Sequence, residues 1–310
     1  MCIRDRPPVI SYTESLCWHD YDNFEHPFLC VALLTRLTMM TSAPPFIETD
    51  SVLQFTESGP CRLVDLSDRR YFDEGHIPGA VHLDYSALTS GRKPSPGLLP
   101  DKSQLQQLAG QLGLHPDLYV IAYDNQGGGR AGRLLWTLHF IGHRRVSVVN
   151  GGMTAWIKHG LPTSSTRRSG TRGSSTINIA EDPSVLATRN YVLAHLDNDD
   201  IVLLDARSPA EFSGTDVRAA RGGHIPGARN LNWLETINHT DYGRLHPDSV
   251  LRTLLAERGI SANKEVVVYC QTHHRSAHTY VMLKHLGYER VRGYAGSWSE
   301  WGNDPTSPVA

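Results

Sequence analysis

A string of six residues that occurs twice constrains this chain more than any other feature. Gly-His-Ile-Pro-Gly-Ala stands at positions 75–80 and again at 223–228, which is 148 positions further on. Other landmarks recur in the same order, including an apolar run that leads to Asp124 in one half and to Cys270 in the other, 146 positions apart. Ordered self-similarity of this kind indicates duplication, so the sequence predicts two related domains.

Each half alternates short apolar runs, typical of strands, with stretches typical of helices. This alternation predicts the α/β class, with two tandem domains that are each a mainly parallel sheet covered by helices on both faces. In the second half, the expected strands lie near 201–205, 228–231, 265–269 and 290–293. The expected helices lie near 188–196, 208–212, 247–258 and 276–286.

The segments before and between the halves predict the domain boundaries. Residues 1–44 show no periodicity, and we expect them to be an unstructured or spurious leader. We expect one domain at 45–163 and the other at 181–310. The segment 164–180 between them is polar and rich in Gly and Ser, which is typical of a flexible linker.

Composition excludes several classes of function. The chain has 30 basic and 32 acidic residues, so no bulk charge favours nucleic acid or an anionic membrane. No apolar stretch reaches the roughly 18 residues of a transmembrane helix. Of five cysteines, Cys61 and Cys270 fall in the patterned region, without the spacing of a disulfide framework or a zinc site. This usage favours a reducing cytoplasm and no metal.

The apolar run Val266–Tyr269 ends at Cys270, and a short polar loop leads from there into a predicted helix. The N–H groups of such a loop and the positive end of the helix dipole both favour negative charge. Arg275 adds a full positive charge, so the pKa of the thiol is expected to fall below its ordinary value of about 8.5. We therefore expect Cys270 to be a nucleophile. Asp124 cannot act in this way, so the first domain is expected to be non-catalytic and to form a wall of the active-site cleft.

These features together resemble a known family. Paired domains with Asp-x-Arg or its relic, the repeated GHIPGA string and a Gly-Gly/Ser-x-x-x-Trp ending are similar to the tandem rhodaneses, or thiosulfate sulfurtransferases, over essentially residues 46–303. The loop CQTHHRS looks like that of a bacterial subgroup of these enzymes. It differs from the CRKGVT loop associated with thiosulfate and from the CGSGVT loop associated with 3-mercaptopyruvate.

The resemblance implies a two-step sulfur transfer that requires no metal or organic cofactor. The Cys270 thiolate would attack the outer sulfur of a small-molecule donor such as thiosulfate, and the persulfide would then give its sulfur to cyanide or a cellular thiol. Backbone N–H groups of the loop would stabilise the persulfide anion. Arg275 would be the second catalytic residue. The residues expected to bind substrate are Arg207, Gln271, Thr272, His273, His274 and Ser276.

Two of these expectations concern charge. Arg207 matches the family's second-domain arginine near the substrate and is expected at the anionic end of the donor. His273 and His274 are expected to offer hydrogen-bond donors and a positive charge that titrates near neutral pH.

Three other functions stay open. A related kind of phosphatase also uses a cysteine-to-arginine loop, but its loop is one residue longer than the four residues between Cys270 and Arg275, so the shorter loop favours a single sulfur atom. A 3-mercaptopyruvate sulfurtransferase would use the same nucleophile, although the charge expected on the loop favours the thiosulfate dianion. A persulfide carrier would hand its sulfur to a partner protein after the same first step.

Several conspicuous residues are better explained by structure. His76 and His224, in the repeated strings, are expected to bond nearby backbone. Trp156 and Trp301 are expected to anchor the cores, and Cys61 to be a buried bystander.

Overall fold

The structure, a computed structural model, describes residues 43–166 and 177–310. The predicted leader at 1–44 lies almost wholly outside the described residues, and so does the middle of the predicted linker at 164–180. Within the described part, no helix is both long and apolar enough to cross a membrane.

The first domain is a parallel sheet with helices between its strands. Its strands are β1 Phe46–Ile47, β2 Cys61–Asp65, β3 Val81–His82, β4 Tyr119–Tyr123 and β5 Val146–Val149. Its helices are α1 Ser51–Glu57, α2 Arg69–Glu74, α3 Lys102–Leu112, α4 Gly129–Phe140 and α5 Gly152–Lys158, with a 3₁₀ turn at Tyr85–Leu88. The strands lie in the order β1-β5-β4-β2-β3, and all neighbours are parallel.

The second domain repeats this plan. Its strands are β6 Leu186–Ala187, β7 Ile201–Asp205, β8 Arg229–Asn230, β9 Ile237–Asn238, β10 Arg244–Leu245, β11 Glu265–Tyr269 and β12 Val291–Tyr294. Its helices are α6 Arg189–Ala194, α7 Pro209–Phe212, α8 Asp248–Glu257, α9 Arg275–His285 and α10 Ser297–Trp301, with 3₁₀ turns at Pro183–Val185 and Trp233–Thr236. The main sheet has the parallel order β6-β12-β11-β7-β8, and β9 and β10 form an antiparallel pair beside it.

The two sheets have the same order of equivalent strands, which confirms the duplicated α/β fold. The strands and helices predicted for the second half begin and end within two residues of those observed. The sequence patterns missed β6, α10 and the pair β9–β10, which are too short to show a period of their own.

Side chains of the central strands alternate between the two faces of each sheet. Along β4, Val120 and Ala122 belong to one apolar cluster and Ile121 and Tyr123 to another. The same alternation runs along β11. Because both faces are covered, these strands read as continuous apolar runs in the sequence.

One of these clusters is shared by both domains. It includes Leu134 and Leu138 of α4 together with Tyr280 and Leu283 of α9, so the domains share a core. The two helices touch closely at Gly132, where an added Cβ would stand 3.0 Å from the Ala277 carbonyl.

The repeated strings have the same local contacts in both halves. Nδ1 of His76 lies 2.8 Å from the Phe72 carbonyl oxygen, and Nδ1 of His224 lies 2.9 Å from that of Phe212. Each imidazole also stacks on the ring of the phenylalanine whose carbonyl it contacts. The structural interpretation of these histidines is confirmed.

The tryptophans near the end of each half are core residues. Trp156 and Trp301 are fully buried, and the indole N–H of each donates to a nearby backbone carbonyl. The expectation that they anchor the cores is confirmed.

The close helix contact at Gly132 can be tested by adding a side chain there. Gly132→Val should lower the free energy of unfolding by about 2 kcal/mol, because its methyl groups would overlap the backbone of α9. Gly59→Val is the matched control, since nothing lies within 4 Å of an added Cβ at that position. Urea unfolding measures both, and equal effects of the two substitutions would contradict the close contact.

Candidate active site

Cys270 lies at the carboxyl edge of the second sheet. It follows β11, which pairs with β7 and β12 in the middle of the sheet, and α9 begins only five positions later at Arg275. The loop between them therefore has its backbone N–H groups and the positive end of α9 close to one point. The start of the loop is also bonded to α10, because the backbone N–H of Trp298 donates to the Cys270 carbonyl at 2.9 Å.

The surroundings of Cys270 favour its thiolate. The residue has no exposed surface, and burial by itself opposes ionisation. The positive charge of Arg275, the hydroxyl of Ser276 and the backbone N–H groups of Ser276 and Thr272 outweigh burial, so the pKa of Cys270 is lowered. The other described cysteine behaves in the opposite way, because burial raises the pKa of Cys61 to about 11. The pKa values of the two thiols are therefore shifted in opposite directions.

Arg275 is engaged by a carboxylate. Its two terminal nitrogens bond both oxygens of Glu211 at 2.6 and 2.8 Å. Burial would raise the pKa of Glu211, but the hydrogen bonds and charge of Arg275 outweigh it and lower the pKa to about 2. Glu211 is fixed in turn by a capping box with Ser208 at the start of α7. The Glu211 carboxylate therefore partly neutralises the positive charge of Arg275, and both terminal nitrogens of Arg275 donate to it.

Gln271 joins the loop to a neighbouring segment. Its Nε2 donates to the Arg218 carbonyl at 3.0 Å, while its Oε1 is buried and has no partner among the described residues. Thr272 packs tightly against the first domain, because an added Cβ at Gly97 would lie 2.3 Å from the Thr272 carbonyl oxygen. The loop is therefore in contact with both domains.

Neither loop histidine carries charge at neutral pH. Burial lowers the pKa of His273 well below its ordinary range, and it lowers the pKa of His274 to about 4. His273 is fully enclosed, with Nδ1 at 2.7 Å from the Ser276 hydroxyl and its ring edge against Trp136. The expectation of a titratable positive charge here was wrong, because the sequence does not reveal that the fold encloses His273 completely and His274 in large part.

Arg207 is placed differently from the expectation. It is buried, and its Nε and Nη2 bond the Asp205 carboxylate while Nη2 also donates to the Gly223 carbonyl. Its guanidinium also lies over the Trp298 ring at 4.5 Å. These contacts make Arg207 a structural residue of the second domain rather than one that reaches an anionic donor.

The equivalent loop of the first domain contains its own anion. One carboxylate oxygen of Asp124 accepts from the N–H groups of Gln126 and Gly128, at 2.8 and 2.9 Å. The other accepts from Arg130 and Ala131, at 2.9 and 3.0 Å. In the first domain, the Asp124 carboxylate thus occupies the position that the Cys270 thiol has in the second, and it accepts four hydrogen bonds from its own loop.

The structure adds residues that the sequence did not single out. Glu211 could have been found from the Ser-x-x-Glu pattern after a strand, which is a capping box. Tyr85, from the first domain, packs on His274 and has a buried hydroxyl with no partner among the described residues. Arg133 is a fully buried arginine of α4, and its guanidinium donates to the His273 carbonyl in the loop that follows Cys270.

Comparison with known proteins agrees with this arrangement. The family model for the rhodanese-like domain matches residues 48–159 and 188–304. The thiosulfate sulfurtransferase of Azotobacter vinelandii is 44% identical over 266 residues, which are 86% of this chain and 97% of that protein. The thiosulfate sulfurtransferase of Pseudomonas aeruginosa is 41% identical over 88% of this chain and 99% of its own length. The sulfur carrier protein TtuD of Thermus thermophilus is 32% identical over 85% of this chain and 95% of its own length.

Solved structures share the fold at lower identity. YnjE superposes with a TM-score of 0.78 at 21% identity, covering 86% of this chain and 68% of that one. EanB superposes with a TM-score of 0.74 at 21% identity, covering 86% and 69%. These likenesses concern the fold alone.

The carboxylate of Asp124 should be a structural requirement of the first domain. Asp124→Ala leaves four N–H groups of the loop without their acceptor and should lower the free energy of unfolding by about 3 kcal/mol. Catalysis by the molecules that remain folded should be largely unchanged. Asp124→Asn keeps one carbonyl oxygen and should cost less. Thermal unfolding followed by activity per folded molecule tests this, and an inactive but stable Asp124→Ala protein would contradict it.

The Glu211–Arg275 pair should stabilise the fold in a pH-dependent way. Glu211→Gln should lower the free energy of unfolding at pH 7 by about 2 kcal/mol. The pKa of Glu211 is lowered from 4.5 to about 2, so this difference should be full above pH 4.5 and shrink as pH falls toward 2. Unfolding measured across this range tests the sign. Glu74→Gln, which removes an exposed partner of Arg70, should change little at any pH.

Proposed function

Because this chain belongs to the rhodanese family, we propose that it is a thiosulfate sulfurtransferase, which moves sulfane sulfur from thiosulfate to cyanide or a thiol through a persulfide on Cys270. The observation that carries the proposal is the Cys270 thiol, whose pKa is lowered by a neighbouring arginine and by loop N–H groups. The second domain is then the catalytic domain, and the first domain, with Asp124 in the equivalent position, is the non-catalytic one. The proposal keeps the predicted domain boundaries, which are 45–163 for the non-catalytic domain and 181–310 for the catalytic domain.

The first step makes the persulfide. The Cys270 thiolate attacks the outer sulfur of thiosulfate, a bond forms between the two sulfurs, and the bond to the sulfonate breaks. Sulfite leaves with the electron pair of that bond. The terminal sulfur then carries the negative charge that the thiolate carried before, so the same loop N–H groups can stabilise it. Because Cys270 has no exposed surface, groups around it must separate for the donor to enter.

The second step removes the sulfur. Cyanide attacks the terminal sulfur and leaves as thiocyanate, and the bonding electrons return to Cys270 as a thiolate. A thiol acceptor would take the sulfur in the same way. Neither step needs a side-chain base when the thiolate is already formed.

The loop residues have distinct roles in this proposal. Arg275 lowers the pKa of the nucleophile and remains the second catalytic residue, while the backbone N–H groups of Thr272 and Ser276 hold the sulfur anion. Gln271 ties the loop to the segment at Arg218, because its side-chain amide donates to the Arg218 carbonyl. His273 and His274 take part as neutral rings that shape the loop, since burial keeps them uncharged at neutral pH.

Thiosulfate is favoured over 3-mercaptopyruvate by the relatives rather than by loop charge. The two relatives at 44% and 41% identity are named thiosulfate sulfurtransferases. The argument from charged histidines no longer supports this choice, because both histidines are neutral. Small-molecule donors and thiophilic acceptors are the partners that the proposal requires.

A role as a persulfide carrier is the second candidate. It is favoured by the relative at 32% identity, which is named a sulfur carrier protein. In this role the persulfide passes to a sulfur-accepting protein in the second step. We also place the protein in the cytoplasm, where a reducing environment keeps the thiols of Cys61 and Cys270 free.

Steady-state turnover with each donor tests the activity. With cyanide as acceptor, thiosulfate should support a higher kcat/KM than 3-mercaptopyruvate. A higher value for 3-mercaptopyruvate would assign the other donor, and hydrolysis of a phosphate ester without sulfur transfer would overturn the proposal.

The nucleophile is tested by mass. Thiosulfate alone should increase the protein mass by about 32 Da, one sulfur atom. Cys270→Ser should abolish this increase and turnover, while Cys61→Ser should retain both. Turnover by Cys270→Ser would exclude Cys270 as the nucleophile. A mass increase without turnover on small acceptors would favour the carrier role.

A further inference from the structure

Arg133 connects the non-catalytic domain to the catalytic loop. Its side chain is fully buried in α4, and it donates to the carbonyl oxygens of Leu88 at 3.0 Å and Gly97 at 2.8 Å within its own domain. It also donates to the His273 carbonyl of the catalytic loop at 3.3 Å. One guanidinium thus joins three separate segments across the domain interface.

The part of the loop that Arg133 holds has an unusual backbone. His273 has a φ of 54°, in the left-handed region that a residue with a side chain rarely adopts. Trp136 supports the same point, because its ring lies 4.7 Å from the Arg133 guanidinium carbon and 4.4 Å from the His273 ring centroid. A strained loop conformation persists only when its surroundings fix it, and Arg133 and Trp136 provide that support here.

The charge of Arg133 has no carboxylate partner among the described residues. Its hydrogen-bond acceptors are carbonyl oxygens, and its Nε has no acceptor. A buried cation of this kind is stabilised by an anion nearby. Burial lowers the pKa of Arg133, and the negative charges that oppose this shift are those of Tyr85 and Cys270. Because burial raises the pKa of Tyr85 above its ordinary value, the thiolate is the relevant anion at neutral pH.

The duplication shows that this cation is specific to the catalytic side. The loop after Asp124 is one residue longer than the loop after Cys270, so Arg130 corresponds to Arg275 at an offset of 145. At that offset, the residue equivalent to Arg133 is His278 of α9. His278 lies against the first domain's loop, where an added Cβ at Gly128 would be 3.3 Å from its ring. Burial lowers the pKa of His278 to about 4, so the loop that contains a carboxylate faces a neutral ring.

We propose that Arg133, a residue of the non-catalytic domain, is a positioning residue of the active site that fixes the catalytic loop through the His273 carbonyl and supplies a buried positive charge for the Cys270 thiolate and its persulfide. This inference rests on the proposed role of Cys270 as the sulfur-carrying nucleophile. It gives the first domain a direct part in the chemistry, although the sulfur never bonds to it.

A thiolate titration tests the proposal without requiring turnover. The ultraviolet absorbance of the Cys270 thiolate is followed against pH as the difference between each variant and the same variant with Cys270→Ser. Besides Arg133, the titratable groups to consider are Arg275 and Tyr85, which interact electrostatically with the thiol, and His273 and His274 of the same loop. With the arginine and tyrosine pKa values raised and the histidine values lowered, none of the four changes charge between about pH 5 and pH 9.

Arg133→Met, which removes the charge and keeps much of the volume, should raise the pKa of Cys270 by about one unit. Arg133→Lys keeps the charge and should shift it by less than half as much. The acid limb of kcat/KM for thiosulfate should move by the same amounts. Arg70→Met, at an exposed arginine of the same domain, is the matched control and should move neither.

Circular dichroism first establishes that the variants fold, and Arg133→Gln replaces Arg133→Met if the latter does not. An unchanged thiolate titration in a folded neutral variant would overturn the proposal, as would equal shifts with Lys and Met. If thiosulfate proves not to be a substrate, the titration still tests Arg133 on its own. If sulfur transfer proceeds with an unshifted titration in every variant, the inference fails while the proposed function stands.

Discussion

Backbone N–H groups that converge after the central strand of each sheet are the constraint on which both halves depend. A buried N–H without an acceptor is costly, so each loop requires an anion or another acceptor at the same point. In the first domain Asp124 supplies that acceptor permanently, with four hydrogen bonds. In the mechanism proposed above, Cys270 of the second domain supplies it as a thiolate or as a persulfide. The geometry that stabilises one half therefore also makes the other half reactive.

Much of this arrangement could be predicted from the sequence because it is local or repeated. The strands, the helix after Cys270 and the contrast with Asp124 follow from periodicity and from the offset between the halves. The states of individual polar side chains could not be predicted, because they depend on tertiary burial. Arg207 is adjacent to the active domain's first long strand, yet it pairs with Asp205 inside the fold. The charge of His273 and His274 was misjudged for the same reason.

Because the histidines are neutral, the positive field at the thiol comes from arginines. Arg275 supplies positive charge from the loop itself. Glu211 neutralises part of that charge and accepts a hydrogen bond from each of its two terminal nitrogens. The pair therefore holds Arg275 in place and moderates its field. In the proposed reaction, the thiosulfate dianion is attracted by the backbone N–H groups of the loop and by the charge of Arg275 that Glu211 leaves unneutralised. Loop N–H groups together with one arginine can therefore stabilise a thiolate in the CQTHHRS loop, which lacks the second basic residue of the CRKGVT type.

The persistence of a domain with no nucleophile follows from how the two halves share structure. The close approach of Gly132 to α9 and the shared apolar cluster make the domains one core, so the first domain packs against the loop of the second as part of that core. The loop is then shaped from both sides: α10 and Glu211 hold it from within its own domain, while Gly97 and Arg133 hold it from the other. The equivalent positions on the two facing helices hold different residues: His278 lies against the loop of Asp124, and Arg133 lies against the loop of Cys270. The two halves therefore differ both in the loop itself and in the partner domain's helix that lies against it.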